Sequence, residues 1–188
     1  MKYDIILCGV GGQGVLSVAA AIATAAGIEK LNVRQSEVHG MAQRGGAVLS
    51  HLRISDSEIF SDLVPSGSAD MILSMEPLES LRYVSFMKPD GVLITSNEPF
   101  INIPDYPELD TVLNKISKIK NSFFVDTANI AREAGNPKAA NMVIVGAASK
   151  YLPLKFSSLQ AAVEILFSRK GREIVDKNVM AMTAGGRI

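Results

Sequence analysis

The strongest constraint on the fold lies near the amino terminus. An unbroken apolar run, Ile5-Ile6-Leu7-Cys8, enters Gly9-Val10-Gly11-Gly12-Gln13-Gly14, and an alanine-rich stretch follows. Consecutive apolar residues suit a strand covered on both faces. In the stretch after the glycines, Val15, Val18, Ala19, Ile22 and Ala26 recur at spacings of three and four, the inner face of a helix. The small side chains let that helix lie close on a sheet. Strand, glycine turn and helix in this order are the opening of a layered α/β fold.

The remaining pattern continues the alternation. Strands are expected over Leu31 to Ser36, Ala47 to Ile54, Met71 to Ser74, Val92 to Thr95 and Phe123 to Val125. A turn at Ser55-Asp56-Ser57 is expected to lead into a short strand at Glu58 to Phe60, a hairpin that would make the sheet mixed. Glu76-Pro77 opens a helix, because proline loses little at the first turn. Further helices are expected along the stripe Leu109, Val112, Leu113, Ile116 and Ile119, which turns Lys115 and Lys118 outward, and over Asn129 to Ala134, Ala139 to Lys150 and Ser158 to Phe167. Asp126 reads as the N-cap of the first of these last three, and Ser157 with Gln160 as a capping box for the third. Asn97 to Pro107 carries three prolines and reads as a loop. The expectation is a three-layer α/β/α, Rossmann-like sandwich on a mostly parallel but mixed sheet, one domain over residues 1–188.

Composition narrows the chemistry. With 188 residues, 47% of them apolar, the chain can build a full core. Its 19 basic and 19 acidic residues cancel, so no charge excess points to nucleic acid or an anionic membrane. The longest near-apolar run, Gly14 to Ile28, falls short of the roughly twenty residues that span a bilayer. One cysteine, Cys8, can form neither an internal disulfide nor, alone, the usual four-thiolate iron–sulfur site. A cytoplasmic protein is the expectation.

Two segments carry candidate chemistry. Gly9, Gly11 and Gly14 fit G-x-G-x-x-G between strand and helix, where backbone N–H groups can meet a phosphate; the same glycines also suit a bare tight turn. A dinucleotide would want an acidic residue about twenty positions on. Glu37 is the nearest counterpart, and a free-standing NAD(P)-binding reductase or nucleotide sensor stays open. The second segment runs Glu37-Val38-His39-Gly40-Met41-Ala42-Gln43-Arg44-Gly45-Gly46, with neither strand nor helix periodicity. His39 can move protons near neutral pH, Gln43 can offer amide hydrogen bonds, and Arg44 can grip a carboxylate or phosphate. An Arg44–Glu37 pair in a purely structural loop is the competing reading. His51 reads as a packing histidine, and Met180 and Met182 as core or interface.

Together, Gly-Val-Gly-Gly-Gln-Gly at 9–14, Ser-Glu-Val-His-Gly-Met-Ala-Gln-Arg-Gly-Gly at 36–46 and Glu-Pro-Leu-Glu at 76–79 resemble one family. It is the gamma-type domain of the 2-oxoacid:ferredoxin oxidoreductases. Gly-Asn-Pro at 135–137, Asn141 with Gly146, and Lys170-Gly171 with Asn178 extend the likeness along the chain. Its His-Gly-Met-Ala-Gln-Arg-Gly-Gly form is similar to the indolepyruvate-type beta subunit. The resemblance implies a complex that oxidatively decarboxylates an aryl 2-oxoacid to an acyl-CoA, with thiamine diphosphate, iron–sulfur clusters, coenzyme A and ferredoxin. It further implies that a large alpha subunit holds the thiamine diphosphate and clusters, and that this chain binds no cofactor alone. Its glycine loop (Gly9, Gly11, Gly12, Gln13, Gly14) and Glu37, His39, Gln43 and Arg44 would form ligand or interface contacts, with His39 and Arg44 the candidates for a catalytic role.

Overall fold

The computed structural model describes residues 1–39 and 45–188, His39 by its backbone alone. The strands are β1 (Lys2–Val10), β2 (Asn32–His39), β3 (Ala47–Ser55), β4 (Ala69–Ser74), β5 (Met87–Ser96) and β6 (Ser122–Val125). The helices are α1 (Val15–Ile28), α2 (Pro77–Arg82), α3 (Leu109–Ile116), α4 (Thr127–Glu133), α5 (Ala140–Ala148), α6 (Phe156–Phe167) and α7 (Arg172–Gly185). One sheet runs in the order β2-β3-β1-β4-β5-β6. β1, β4, β5 and β6 are mutually parallel, and β3 runs antiparallel between β1 and β2.

The continuous apolar run of β1 is explained by its two covered faces. Ile5 and Leu7 join a core with α1, α5 and α6, whereas Ile6 and Cys8 join Ile72, Leu93, Val112 and Ile116 beneath α2 and α3. Fully burying each large aliphatic side chain here stabilises the fold by roughly 1.5–3 kcal/mol. The expected inner face of α1 is buried, and Ala21 and Ala25 are buried with it, because α6 packs over a second side of this helix. The three-layer α/β/α sandwich on a mixed sheet matches the sequence expectation.

Three local expectations are corrected. The sheet is mixed because of β3, not because of a hairpin at 55–57, and residues 58–60 form no strand. Both edges of β3 are taken by β1 and β2, so a strand after that turn would have no ladder to join. Glu37 to His39, expected to be irregular, continue β2 by pairing with Ser50, Leu49 and Val48; ladder bonds are made by backbone and need no side-chain alternation. The Ser157–Gln160 capping box does not form, since α6 begins at Phe156 and the N–H of Lys155 donates to Glu29 Oε1 at 2.7 Å. Asp126 caps α4 as expected, accepting from Asn129 N.

The helix α7 lies beyond those delimited from sequence, and two glycines seat it. A Cβ added at Gly146 would fall 1.9 Å from the Met182 carbonyl oxygen, and one at Gly185 would fall 2.0 Å from that of Val143. α5 and α7 therefore touch backbone to backbone. Met182 is buried in that contact and Met180 is exposed. Among the described residues, no helix is long and apolar enough to cross a membrane.

Candidate functional site

The parallel strands all point their carboxyl ends to one edge, where α/β folds collect their ligands. A cleft of about 460 Å³ opens there. Its lining comes from Gly12 and Gln13 after β1, Met75 after β4, Glu98 to Phe100 after β5, Thr127 at the start of α4, and Lys138 and Asn141.

The glycine loop divides its work between packing and the cleft. At Gly9 a Cβ would meet Met75 at 2.9 Å and Val15 at 3.0 Å, so that glycine lets the loop close on its neighbours. At Gly14, with φ +83°, it would meet Asn141 Nδ2 at 2.6 Å. Gly12, with φ +107°, has no atom of the described residues within 4 Å of that position and borders the open cleft. Gln13 does not reach outward: its Oε1 accepts from Val10 N at 2.8 Å and its Nε2 donates to Met75 O at 3.1 Å. The side chain thereby staples the loop to the end of β4.

Gly11 joins the two sequence motifs. Its N–H donates to Gly46 O at 2.8 Å and its carbonyl accepts from Gly45 N at 3.3 Å. The end of the second motif therefore lies against the glycine loop. Gln43 and Arg44, and with them any Arg44–Glu37 pair, lie outside the described residues. His39 closes the β2 ladder opposite Val48.

Glu37 is placed away from the cleft. β3 stands between its strand and β1, a lateral offset of about 10 Å for two strand spacings. Its carboxylate accepts from Gln35 Nε2 at 2.6 Å. A dinucleotide fold needs the acidic residue on the strand beside β1, so the strand order disfavours the free-standing NAD(P) reading. His51 is the packing residue expected: it is buried, its Nδ1 accepts from Val64 N at 3.1 Å, and Phe86 meets it edge-on at 5.4 Å. Burial, aided by the nearby Arg53 charge, lowers its pKa.

In the sequence, Glu76 reads as the start of a helix and as part of the Glu-Pro-Leu-Glu motif, with no role for its side chain. Its carboxylate is buried and caps α2, and it also accepts from the hydroxyl of Tyr106 and from Phe100 N. Burial, together with this bond, raises the Tyr106 pKa. Asn102 Nδ2 donates to Gly45 O at 2.7 Å. The available signal was the use of glutamate at an N-cap, where shorter side chains are preferred. Nearby, Glu79 is buried with one oxygen 2.9 Å from Arg82 Nε and the other without a hydrogen-bond partner among the described residues. Burial pushes its pKa up.

Residues 4–188 match the family model described as pyruvate ferredoxin/flavodoxin oxidoreductase. The chain belongs to that family. It is 36% identical over 192 residues to indolepyruvate oxidoreductase subunit IorB of Archaeoglobus fulgidus, covering 98% of this chain and 94% of that protein. The gamma subunit of a keto/oxoacid ferredoxin oxidoreductase from Geobacter sulfurreducens matches with TM-score 0.71 and 25% identity, over 98% of this chain and 96% of that one. The fold also recurs, with TM-score 0.77 and 19% identity, in the 2-oxoglutarate:ferredoxin oxidoreductase of Magnetococcus marinus, a structure with 2-oxoglutarate, coenzyme A and succinyl-CoA bound. There the match covers 99% of this chain but only 30% of the other.

The redox groups of this oxidoreductase family can be tested against the residues. A cluster does not fit Cys8: the thiol is fully buried in β1, beside Ser74 in the β1–β4 register, and burial pushes its pKa up to about 12. It offers neither access nor a thiolate. Among the described residues, no three His, Cys, Asp or Glu side chains gather as a metal site. Part of a phosphate-bearing carrier fits one side of the cleft. Gly12 allows close backbone approach and Lys138 brings a positive charge, with the carboxylate of Glu98 on the lining too, and Met75, Pro99 and Phe100 supply an apolar wall.

Proposed function

We propose that this chain, residues 1–188 acting as one domain, is the small subunit of a 2-oxoacid:ferredoxin oxidoreductase of the indolepyruvate or aryl-pyruvate type. It works in the cytoplasm, docked beside a larger alpha subunit that carries thiamine diphosphate and iron–sulfur clusters and passes electrons to ferredoxin. The complex oxidatively decarboxylates the 2-oxoacid to an acyl-CoA. The observation that carries this division of labour is Cys8, the chain's one cysteine, locked inside the sheet of a ferredoxin-oxidoreductase family member. A chain so built serves redox chemistry by shaping a site whose electron carriers lie elsewhere.

Its own contribution is the cleft edge. Gly12 and Lys138 would receive coenzyme A phosphate, and the Gly11–Gly46 pairing sets the glycine loop against the motif that contains His39, Gln43 and Arg44. Those three side chains are read as ligand or interface contacts, with His39 and Arg44 the candidates for a catalytic role.

The test is anaerobic co-expression with the larger subunit. The expected outcome is a brown complex that reduces a viologen dye with indolepyruvate and coenzyme A, while the small chain alone shows no turnover. Failure to co-purify, or turnover by the isolated chain, overturns the reading. Within the complex, Arg44→Ala is expected to lower activity or assembly far more than Lys118→Ala; equal effects would return the motif to a purely structural role.

A further inference from the structure

The carboxylate of Glu76 does two jobs at once. Oε2 accepts from Glu79 N at 2.7 Å and caps α2. The extra methylene relative to aspartate leaves Oε1 free to reach residues 97–106, where it accepts from the Tyr106 hydroxyl and from Phe100 N at 3.4 Å. The side chain sits in a residue only 1% exposed, so these bonds are made out of water.

Residues 97–106 have no helix or strand of their own. They are held at points: Glu98 N donates to Ser96 Oγ at 3.1 Å, Phe100 N and Tyr106 bond to Glu76, and Asn102 reaches Gly45. Glu98, Pro99 and Phe100 form one wall of the cleft, and Gly45 is one of the two residues, with Gly46, through which the second motif meets Gly11. One buried carboxylate thus fixes a cleft wall and, through Asn102, backs the junction of the two glycine segments.

We propose that Glu76 is the positioning residue of this cleft: through Tyr106 and the Phe100 amide it holds residues 97–106 in place and so sets the affinity for the phosphate-bearing acyl carrier. The proposal rests on reading the cleft as the coenzyme edge of the oxidoreductase. Losing the latch removes binding common to ground and transition states, which raises KM and spares kcat.

The variant of choice is Tyr106→Phe, which deletes one bond and leaves the α2 cap intact. It is made in the full chain, co-purified with its larger subunit, and followed by hydrogen exchange and steady-state kinetics. Amides over 97–106 are expected to exchange at least about tenfold faster, the worth of a lost bond to a charged acceptor. KM for coenzyme A is expected to rise about three- to tenfold with kcat within about twofold. Glu76→Ala should exceed both effects, and Glu76→Gln, which retains one acceptor oxygen, should fall between it and the wild type. If Glu76→Ala does not fold, Tyr106→Phe decides. Unchanged exchange, an unchanged KM, or a fall in kcat at constant KM overturns the proposal. If the wild-type complex oxidises no 2-oxoacid, the functional reading fails, and exchange over 97–106 still decides whether the latch exists.

Discussion

Asp4 and Arg53 stand opposite each other in the β1–β3 register, both buried, with guanidinium Nε 2.8 Å from Oδ1 and a second nitrogen 3.2 Å from Oδ2. The remaining guanidinium nitrogen donates to the carbonyls of Ser61 and Leu63, each at 2.9 Å. The pair therefore does more than join two strands: it seats the chain after β3 that has no sheet partner. Asp4→Ala leaves a buried cation uncompensated and is expected to destabilise the protein by about 3–5 kcal/mol. Asp4→Leu with Arg53→Met should recover part of this loss but not all, because the Ser61 and Leu63 carbonyls stay orphaned. Urea unfolding of the three proteins makes the comparison; a loss below about 1 kcal/mol for Asp4→Ala would mean that water reaches the site.

His51 gives the fold a defined sensitivity to acid. Its folded pKa is lowered, first by burial and then by Arg53, so the folded state holds the neutral ring. Its stabilising contribution is complete above the unfolded value of about 6.5 and is lost as pH falls from there toward the folded pKa. Nδ1 accepts from Val64 N, and an asparagine oxygen can take that bond without titrating in this range. His51→Asn should therefore flatten the fall in stability between about pH 6.5 and 5, by at most about 1.4 kcal/mol per pH unit. Thermal melts across that window check it. A variant with the parent's slope would assign the acid sensitivity to other groups.

How far the fold was legible follows from which signals are local. β1, the glycine turn and α1 announce themselves because both faces of the strand and the inner face of the helix are apolar in register. The Asp126 cap is local in the same way. The insertion of β3 between β2 and β1 is not, since strand order depends on which edges meet after collapse. That one placement moved Glu37 from a candidate ribose partner to an outer strand. The glycine loop is legible as a tight turn between strand and helix, but the assignment of Gly9 and Gly14 to packing and of Gly12 to the cleft needs their neighbours. Glu76 meets Phe100 and Tyr106 across 24 and 30 positions of sequence, and Asn102 meets Gly45 across 57. Such contacts leave no periodic trace.

Gly146→Ala tests the backbone contact of α5 with α7. Alanine favours a helix by about 1 kcal/mol over glycine, so on propensity alone the change should stabilise. Its Cβ would lie 1.9 Å from the Met182 carbonyl oxygen, a backbone atom that cannot rotate aside. The helices must separate, and overpacking of this kind costs roughly 1–3 kcal/mol or more. The net expectation is a lower melting temperature, with Gly185→Ala behaving alike from the other helix. As a control, Gly27→Ala, where nothing lies within 4 Å, should be neutral or stabilising. Equal melting temperatures for Gly146→Ala and Gly27→Ala would show that α7 is free to slide.

Lys138 is the cationic side chain among the described residues lining the cleft. Its backbone is fixed by Pro137 at the start of a short 3-10 turn and by its own N–H donating to Asn136 Oδ1 at 3.2 Å. If coenzyme A phosphate approaches Gly12 from this side, reversing the charge in Lys138→Glu replaces attraction with repulsion. At a solvent-facing distance of a few ångströms that change is about 1–2 kcal/mol, roughly tenfold in KM. The effect should shrink as salt rises toward 0.5 M, because the interaction is screened. Lys118→Glu, in an exposed residue beyond α3 that lines no part of the cleft, should leave KM unchanged. Steady-state kinetics of the assembled complex at two ionic strengths separates the cases. A salt-independent loss, or one shared equally by both variants, would move the phosphate contact away from this edge.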